Sequence, residues 1–264
     1  MTEVISAAEP VLFEMLTPHI ALVTLNRPEK RNAINPAIAL AMEAIIRRVE
    51  DTADVRVVLL ASSTPRVFCA GADLAAIAAG KGRDMETPTG GFAGFVYAAR
   101  LKPWIAVVEG LALAGGCEIA LACDMIVASE SARFGLPEVK RGLMAGAGGV
   151  HRLANAMPRN LANEMLATGD NFDAAFAQRA GLVNRLVPAG EALAAALALA
   201  ETIAANAPMA VQQTLAAARE SQSQPDGAGR SFAAARMITL RRSEDFKEGP
   251  RAFLEKREPV WTGR

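Results

Sequence analysis

The chain has 264 residues, of which 52% are hydrophobic, so it can bury a full core in one large domain or in one domain with an appendage. Its 28 basic and 28 acidic residues balance, and only 5% of its residues are aromatic. No overall field therefore points to nucleic acid or to an anionic membrane, and no stacking platform for bases is indicated.

The cysteine pattern and the chain start predict a cytoplasmic protein. Cys69, Cys117 and Cys123 form no CxxC motif, which is typical of a reducing cytosol. No basic segment followed by an apolar run is visible at the start, so no secretory signal is predicted. The longest uncharged stretch, 202–218, contains proline and polar amides, which argues against a membrane span.

Strand and helix patterns alternate over the first part of the chain. The β-rich run 19–25 ends in a turn at 26–28, and Asn35-Pro36 then carries the signals of a helix start. Short apolar, β-branched runs predict buried strands at 56–61, 104–108 and 125–128. This alternation favours an α/β fold built from βαβ units.

After about residue 158 the strand patterns give way to alanine-rich helical patterns. Apart from a strand signal at 183–187, alanine-rich helices are predicted at about 191–206, 208–220, 231–242 and 244–256. We therefore predict an α/β core over residues 1–190. Residues 191–264 would form a helical region that covers the core or a neighbouring subunit.

A glycine pair precedes a short apolar helix after the strand that ends near Glu109. The first N–H groups of such a helix are unpaired, so Gly115 is a candidate donor to an oxyanion, and Glu118 falls in the first turn. On this segment alone, the more ordinary interpretation is a tight packing turn followed by a carboxylate that complements the helix dipole.

Two further segments carry similar signals. Ala70-Gly71-Ala72 follows a buried strand, offers the N–H of Ala72, and precedes Asp73, a candidate helix cap. Pro137-Glu138 is typical of a helix start, with Glu138 in the first turn. In isolation each is more simply a cap or a dipole-complementing carboxylate.

Other chemistry is poorly supported. The run 146–149 is rich in glycine but lacks the lysine of a P-loop, so we interpret it as a close-packed helix start near the site. His19 and His151 are the only histidines, and neither has metal-ligand spacing. No GxSxG motif supports a serine hydrolase.

Taken together, these motifs resemble the crotonase family, the enoyl-CoA hydratase/isomerase superfamily, in their order and spacing. The resemblance covers residues 11 to 260 or so. Its parts are Asn26-Arg27-Pro28…Asn32-Ala33, Phe68-Cys69-Ala70-Gly71-Ala72-Asp73-Leu74, Gly115-Gly116-Cys117-Glu118…Cys123-Asp124, Phe134-Gly135-Leu136-Pro137-Glu138, Gly146…Gly149 and Phe246-Lys247-Glu248-Gly249…Phe253-Leu254-Glu255-Lys256-Arg257.

The resemblance implies a fold of repeated ββα units with two roughly perpendicular sheets, followed by a helical trimerisation region. It implies a homotrimer or a hexamer made of two trimers. The substrate would be an acyl-CoA thioester, with no metal or redox cofactor, since coenzyme A is part of the substrate.

The resemblance also assigns roles to residues. The N–H groups of Ala72 and Gly115 would form the oxyanion hole, while Glu118 would help activate a water and Glu138 would deliver a proton. Substrate or CoA contacts would come from the set Arg27, Lys30, Ala33, Ala70, Ala72, Asp73, Leu74, Gly115 and Lys256, with Lys256 reaching across a subunit contact.

The pair of glutamates favours an enoyl-CoA hydratase, because most isomerases of the family keep one acid/base carboxylate. The alternatives are a Δ3,Δ2-enoyl-CoA isomerase, a crotonobetainyl-CoA-type hydratase, a thioester hydrolase and a non-catalytic acyl-CoA binding protein. Two departures from the common pattern bear on the substrate: Ala75-Ala76 stand where many members have a lysine, and Leu143-Met144-Ala145 stand where proline is frequent. Acyl length therefore does not follow from the resemblance.

Overall fold

The computed structural model describes residues 9–222 and 224–264. Its strands and helices, in chain order, are β1 (Val11–Thr17), β2 (Ile20–Leu25), α1 (Pro36–Asp51), β3 (Val57–Ser62), β4 (Val67–Cys69), α2 (Leu74–Ala78), β5 (Glu86–Thr87), β6 (Gly91–Phe92), β7 (Trp104–Val108), β8 (Leu111–Leu113), α3 (Gly115–Ala122), β9 (Met125–Ser129), β10 (Arg133–Gly135), α4 (Gly149–Ala156), α5 (Arg159–Thr168), β11 (Phe172–Asp173), α6 (Ala174–Arg179), β12 (Arg185–Val187), α7 (Ala192–Ala204), α8 (Pro208–Ser221), α9 (Asp226–Arg241) and α10 (Glu244–Glu255). Short 3₁₀ helices lie at Pro28–Lys30, Arg83–Met85 and Pro137–Arg141.

The strands form two main sheets that the chain visits in turn. One sheet has six strands in the order β1-β2-β3-β7-β9-β12, and the other has four in the order β11-β10-β8-β4. The pairs β3–β4, β7–β8 and β9–β10 each place their first strand in the six-stranded sheet and their second strand in the four-stranded sheet. The first two pairs lead directly into α2 and α3. The predicted repeat of ββα units and the α/β class are thereby confirmed.

Parallel pairing sets the order of these units. β2, β3, β7, β9 and β12 run parallel, as do β4, β8 and β10. Each unit thus moves the chain along both sheets, so equivalent turns of successive units become neighbours. The main core lies on one face of the six-stranded sheet and includes Ile38 and Met42 of α1, Phe68, Trp104 and Phe134.

The opposite face of the six-stranded sheet is covered by α7. Ala192, Ala196, Ala200 and Ala204 recur every four residues along one side of this helix and pack against sheet residues such as Val57 and Ile105. Alanine suits this face because its short side chain lets the helix approach the sheet closely. The predicted boundary near residue 190 stays a prediction, and the helix that follows it is part of the packing around the sheet.

The last helix holds the end of the chain by two buried carboxylates. Asp245 accepts hydrogen bonds from the amides of Thr262, at 2.7 Å, and Gly263, at 3.1 Å. Glu248 accepts from the Val260 amide at 2.9 Å and pairs with Arg251 and Arg257. These donors hold the pKa of Glu248 well below its ordinary value, chiefly through the Arg257 guanidinium.

We predict that Glu248→Gln lowers the melting temperature at pH 7 by a few degrees, because Arg257 and the Val260 amide lose a charged acceptor. A depressed carboxyl pKa stabilises the fold above its unfolded value and loses this effect at lower pH, so the difference from wild type should shrink below pH 4 or so. Thermal unfolding followed by circular dichroism measures both. Glu255→Gln, at an exposed partner of Arg257, is the control; equal losses in the two variants would contradict the prediction.

Candidate active site

The predicted catalytic segments follow three neighbouring strands of the four-stranded sheet. Residues 70–73 follow β4, 114–118 follow β8, and 136–138 follow β10. Since these strands are parallel and adjacent, their carboxyl ends meet at one edge of the sheet. Ligand sites in α/β folds are commonly built at such an edge. The structure therefore brings together segments that lie up to 68 residues apart in sequence, as the numbering of 70 and 138 shows.

Ala72 presents a free N–H group at this edge. An isolated parallel bridge joins its segment to Ile34. The bridge uses the Gly71 carbonyl, which accepts from the Ile34 amide at 2.8 Å, and the Asp73 amide, which donates to the Ile34 carbonyl at 2.8 Å. It leaves the Ala72 amide without a hydrogen bond to any residue that the structure describes.

Gly115 presents the second N–H group. It is the first residue of α3, so its amide has no acceptor within the helix. The preceding Ala114 donates its amide to the Gly135 carbonyl at 2.9 Å and has φ 50° and ψ −128°. Positive φ is uncommon for alanine and implies local strain, which is often found at functional sites. This backbone geometry fixes where the first amide of α3 points.

The two amide-bearing loops are in contact. A Cβ added to Gly71, whose φ is +93°, would lie 2.9 Å from the Ala114 Cβ and 3.0 Å from the Gly115 nitrogen. A Cβ on Gly115 would lie 2.4 Å from the Phe92 ring. Glycine is therefore required at both positions, and Phe92 borders the Gly115 donor.

Glu118 lies in the first turn of α3 and is 4% exposed. Its Oε1 accepts a hydrogen bond from the Gly149 amide at 2.9 Å. Burial raises the pKa of Glu118 to about 7; the Gly149 amide opposes this rise, and the negative charge of Glu138 adds to it. The carboxyl can thus take up or release a proton near neutral pH.

Glu138 lies in the first turn of the 3₁₀ helix that follows β10. Its Oε2 is buried and has no hydrogen-bond partner within residues 9–222 and 224–264. Burial raises the pKa of this carboxyl too, while Arg141 lowers it. A buried carboxyl oxygen without a partner is costly and is expected to meet a bound group or water.

This arrangement can stabilise an oxyanion and exchange protons beside it. Two unpaired amides come from adjacent loops, and the carboxyls of the buried Glu118 and the half-buried Glu138, both with raised pKa values, lie at the same edge of the sheet. Like charges in a shared low-dielectric site cannot both ionise cheaply, so the pair favours holding one proton.

Arg27 and Asp73 form an internal brace. The Arg27 Nη1 donates to the Ala33 carbonyl at 2.7 Å and lies 3.2 Å from the Asp73 Oδ2. The Asp73 Oδ1 accepts from the Ala75 amide at 3.0 Å and so caps α2, as its sequence position predicts. Arg27 therefore holds the loop of Ala72 in place, and its guanidinium faces inward.

The remaining residues predicted to contact the substrate or CoA lie near the loop of Ala72, except for Lys256, which lies near the end of the chain. Ala70 is half-buried and donates its amide to the Arg31 carbonyl at 3.1 Å. Lys30 is exposed, and Leu74 is 70% exposed at the start of α2. Lys256 is exposed at the carboxyl end of α10, and its side chain has no hydrogen bond or ion pair within the part of the chain that the structure describes.

Two participants were missed by the sequence analysis. Gly149 supplies the amide that binds Glu118, and Arg152 lies close enough to lower the pKa of that carboxyl. The glycine run 146–149 signalled a close approach, but its partner cannot be read from one segment. Among the described residues, no group of three or more His, Cys, Asp or Glu side chains could hold a metal ion.

No single helix in the described ranges is long and apolar enough to cross a membrane. α7 and α8 are long and apolar enough for a membrane span only when they are taken together, and they meet at a bend of 107°.

Comparisons with known proteins agree with this geometry. A family model for enoyl-CoA hydratase/isomerase matches residues 17–264. A carnitinyl-CoA dehydratase from Salmonella enteritidis is 39% identical over 247 residues, which are 92% of this chain and 94% of that protein.

Solved structures match over nearly the whole chain. A probable enoyl-CoA hydratase/isomerase from Mycobacterium abscessus is 43% identical, with a TM-score of 0.90 over 97% of this chain and 100% of that one. A carnitinyl-CoA hydratase from Mycobacterium avium is 44% identical, with a TM-score of 0.78 over 97% of this chain and 99% of that one. The chain therefore belongs to the enoyl-CoA hydratase/isomerase family and has the crotonase fold.

Proposed function

We propose that this protein is an enoyl-CoA hydratase, a hydro-lyase that adds water syn across the 2,3 double bond of a 2-enoyl-CoA thioester. The observation that carries the proposal is the pair formed by the buried Glu118 and by Glu138, whose Oε2 is buried without a partner, beside two unpaired backbone amides. A binding protein would have no need of two neighbouring carboxyls whose pKa values are both raised by burial.

The amides of Ala72 and Gly115 would bind the thioester carbonyl oxygen. As water attacks C3, negative charge moves onto this oxygen and an enolate forms. Fixed donors aimed at that charge stabilise the transition state more than the ground state, and each is typically worth about 3 kcal/mol of barrier. Because the Gly71 backbone abuts Gly115, both donors are held in place before the substrate arrives.

The carboxyls would divide the proton transfers. Glu118 accepts a proton from the water whose oxygen bonds to C3, and Glu138 gives its proton to C2. The unpartnered Oε2 of Glu138 and the Glu118 carboxyl would both bind this water. The product gains a hydroxyl at C3 and a hydrogen at C2, Glu118 is left protonated and Glu138 ionised, and return of one proton from Glu118 to Glu138 restores the starting state.

Assembly and CoA binding are proposed by the same resemblance. The carboxyl end of α10 exposes two large apolar side chains, Phe253 at 82% and Leu254 at 79%, next to Lys256. Such a surface suits a subunit contact. We propose a homotrimer, or a hexamer of two trimers, in which Lys256 and the exposed Lys30 contribute to CoA binding.

A carnitinyl-CoA dehydratase activity is the second candidate, because several relatives bear that name. That reaction also needs an oxyanion hole and acid/base carboxyls, so the catalytic geometry suits both. The two candidate activities differ in the acyl group of the substrate. The acyl group of carnitinyl-CoA carries a quaternary ammonium, which proteins usually bind by aromatic faces or by a carboxylate. A kinetic panel of crotonyl-CoA, longer 2-enoyl-CoAs, 3-enoyl-CoAs, crotonobetainyl-CoA and carnitinyl-CoA distinguishes hydratase, isomerase and dehydratase.

We predict that wild type consumes the enoyl absorbance of at least one 2-enoyl-CoA, and that Glu118→Gln and Glu138→Gln each reduce kcat by orders of magnitude while KM changes little. Removing a general acid or base typically lowers the reaction rate by roughly a hundredfold to ten-thousandfold. Exposed Glu164→Gln is the control and should match wild type. Retained binding of CoA thioesters without turnover of any of them would sink the proposal.

We predict that Glu118→Gln is more stable than wild type at pH 8 by about 3 kcal/mol, the free energy of a carboxyl pKa raised from 4.5 to about 7. The folded state binds the Glu118 proton more tightly than the unfolded state, so wild type loses stability as pH rises from 4.5 to about 7. The amide keeps an acceptor for Gly149 and never ionises.

Urea unfolding at pH 5 and pH 8, at one protein concentration, measures this difference. Glu164→Gln, at an exposed helix position, should track wild type at both pH values. A Glu118→Gln advantage that is absent at pH 8, or equal at both pH values, would contradict the raised pKa.

A further inference from the structure

Arg152 of α4 ties together two segments that flank the Glu118 carboxyl. Its Nη1 donates to the Ala147 carbonyl at 3.1 Å, and its Nη2 donates to the Val96 carbonyl. The guanidinium carbon also lies 5.3 Å from the centre of the Tyr97 ring. One planar cation thus links the turn before α4 to a segment 50 residues or so earlier in the chain.

The glycine pair before α4 is shaped around two side chains. Gly148 has φ +102°, and a Cβ there would lie 2.0 Å from the Arg152 Nη1. A Cβ on Gly149 would lie 3.0 Å from both Cγ and Oε1 of Glu118. The absence of a side chain at Gly148 leaves room for the Arg152 guanidinium, and its absence at Gly149 leaves room for the Glu118 carboxyl.

Gly149 connects the contacts of Arg152, which we call the Arg152 brace, to the Glu118 carboxyl. Its amide donates to the Glu118 Oε1 at 2.9 Å, and it stands two residues after Ala147, whose carbonyl Arg152 holds. A shift of the turn 147–149 would therefore move the donor that orients Glu118. The positive charge of Arg152 acts on the same carboxyl directly.

We propose that Arg152 is a positioning residue: it holds the turn 147–149 so that the Gly149 amide fixes the Glu118 carboxyl. This proposal rests on the hydratase function proposed above. It assigns to Arg152 no contact with the substrate.

The charged and titratable groups near this pair come from several elements. Glu118 is affected by Glu138 and Arg152. Arg152 is affected by Tyr97, Glu118 and Cys123, and it acts on Arg100 and on its neighbour His151. Of these groups, Arg152 is the cation acting on the Glu118 carboxyl, so its removal leaves only the backbone amides of Gly149 and Ala147 to oppose the repulsion from Glu138.

The experiment compares wild type, Arg152→Gln, Arg152→Lys and the exposed control Arg159→Gln. Two readouts are taken: kcat and KM against pH with the best enoyl-CoA, and the titration of Glu118 by carbon-13 NMR on glutamate-labelled protein, with the signal assigned from Glu118→Gln. Arg152→Gln should lower kcat about tenfold with little change in KM and raise the Glu118 midpoint above that of wild type.

Arg152→Lys keeps the charge but cannot hold two carbonyls with a planar fork. It should keep the midpoint near that of wild type while kcat still falls. Should Arg152→Gln fail to fold, Arg152→Lys tests the brace alone. Unchanged kcat in Arg152→Lys overturns the brace, and an unchanged midpoint in folded Arg152→Gln overturns the electrostatic part. If wild type hydrates no enoyl-CoA but the midpoint moves as expected, the hydratase proposal fails while the positioning of Glu118 stands.

Discussion

The close approach of two backbone loops, at Gly71 and Gly115, is the constraint on which the site depends. A Cβ at Gly71 would lie 3.0 Å from the Gly115 nitrogen, so no larger residue permits the two loops to meet. This contact follows from the parallel pairing of β4 and β8, which places their carboxyl ends side by side. Because β10 pairs on the other side of β8, Glu138 reaches the same edge. Sheet order thus determines which chemical groups become neighbours.

Burial gives these groups their reactivity. Glu118 is almost fully enclosed, and one oxygen of Glu138 is buried without a partner. Both carboxyls are therefore harder to ionise than in water, which costs stability and places at least one of them near neutrality. Such a cost is typical of sites that are built to transfer protons.

Much of the fold followed from local patterns in the sequence. The strand β7 has the bounds that its apolar run predicts, and Asn35 caps α1 with a side-chain oxygen 3.0 Å from the Ile38 amide. The three-residue strands β8 and β10 gave no periodic signal, because a run of three residues is too short to show alternation. The start of α9 was placed five residues late, since its first turns contain two glycines.

The site was predictable only in part for a related reason. Motifs mark the residues beside a turn, and the positions of Ala72, Gly115, Glu118 and Glu138 were found in this way. Arg152 and Val96 are joined by tertiary structure alone, and an arginine at a helix position carries no mark of the carbonyl it will meet. Arg27, which the resemblance includes among the substrate or CoA contacts, is held by Asp73 and the Ala33 carbonyl, and the sequence motif does not mark these partners.

The repeated ββα units have a consequence for how this protein can change. The amides of Ala72 and Gly115 and the Glu118 carboxyl come from the first two units, whereas Glu138 comes from the third. Under the proposed mechanism, binding of the oxyanion and delivery of the proton to C2 would therefore lie on separate stretches of chain. On that mechanism, substitutions after β10 would alter the reaction outcome without disturbing the two amides, so one scaffold would acquire new chemistry in small, independent steps.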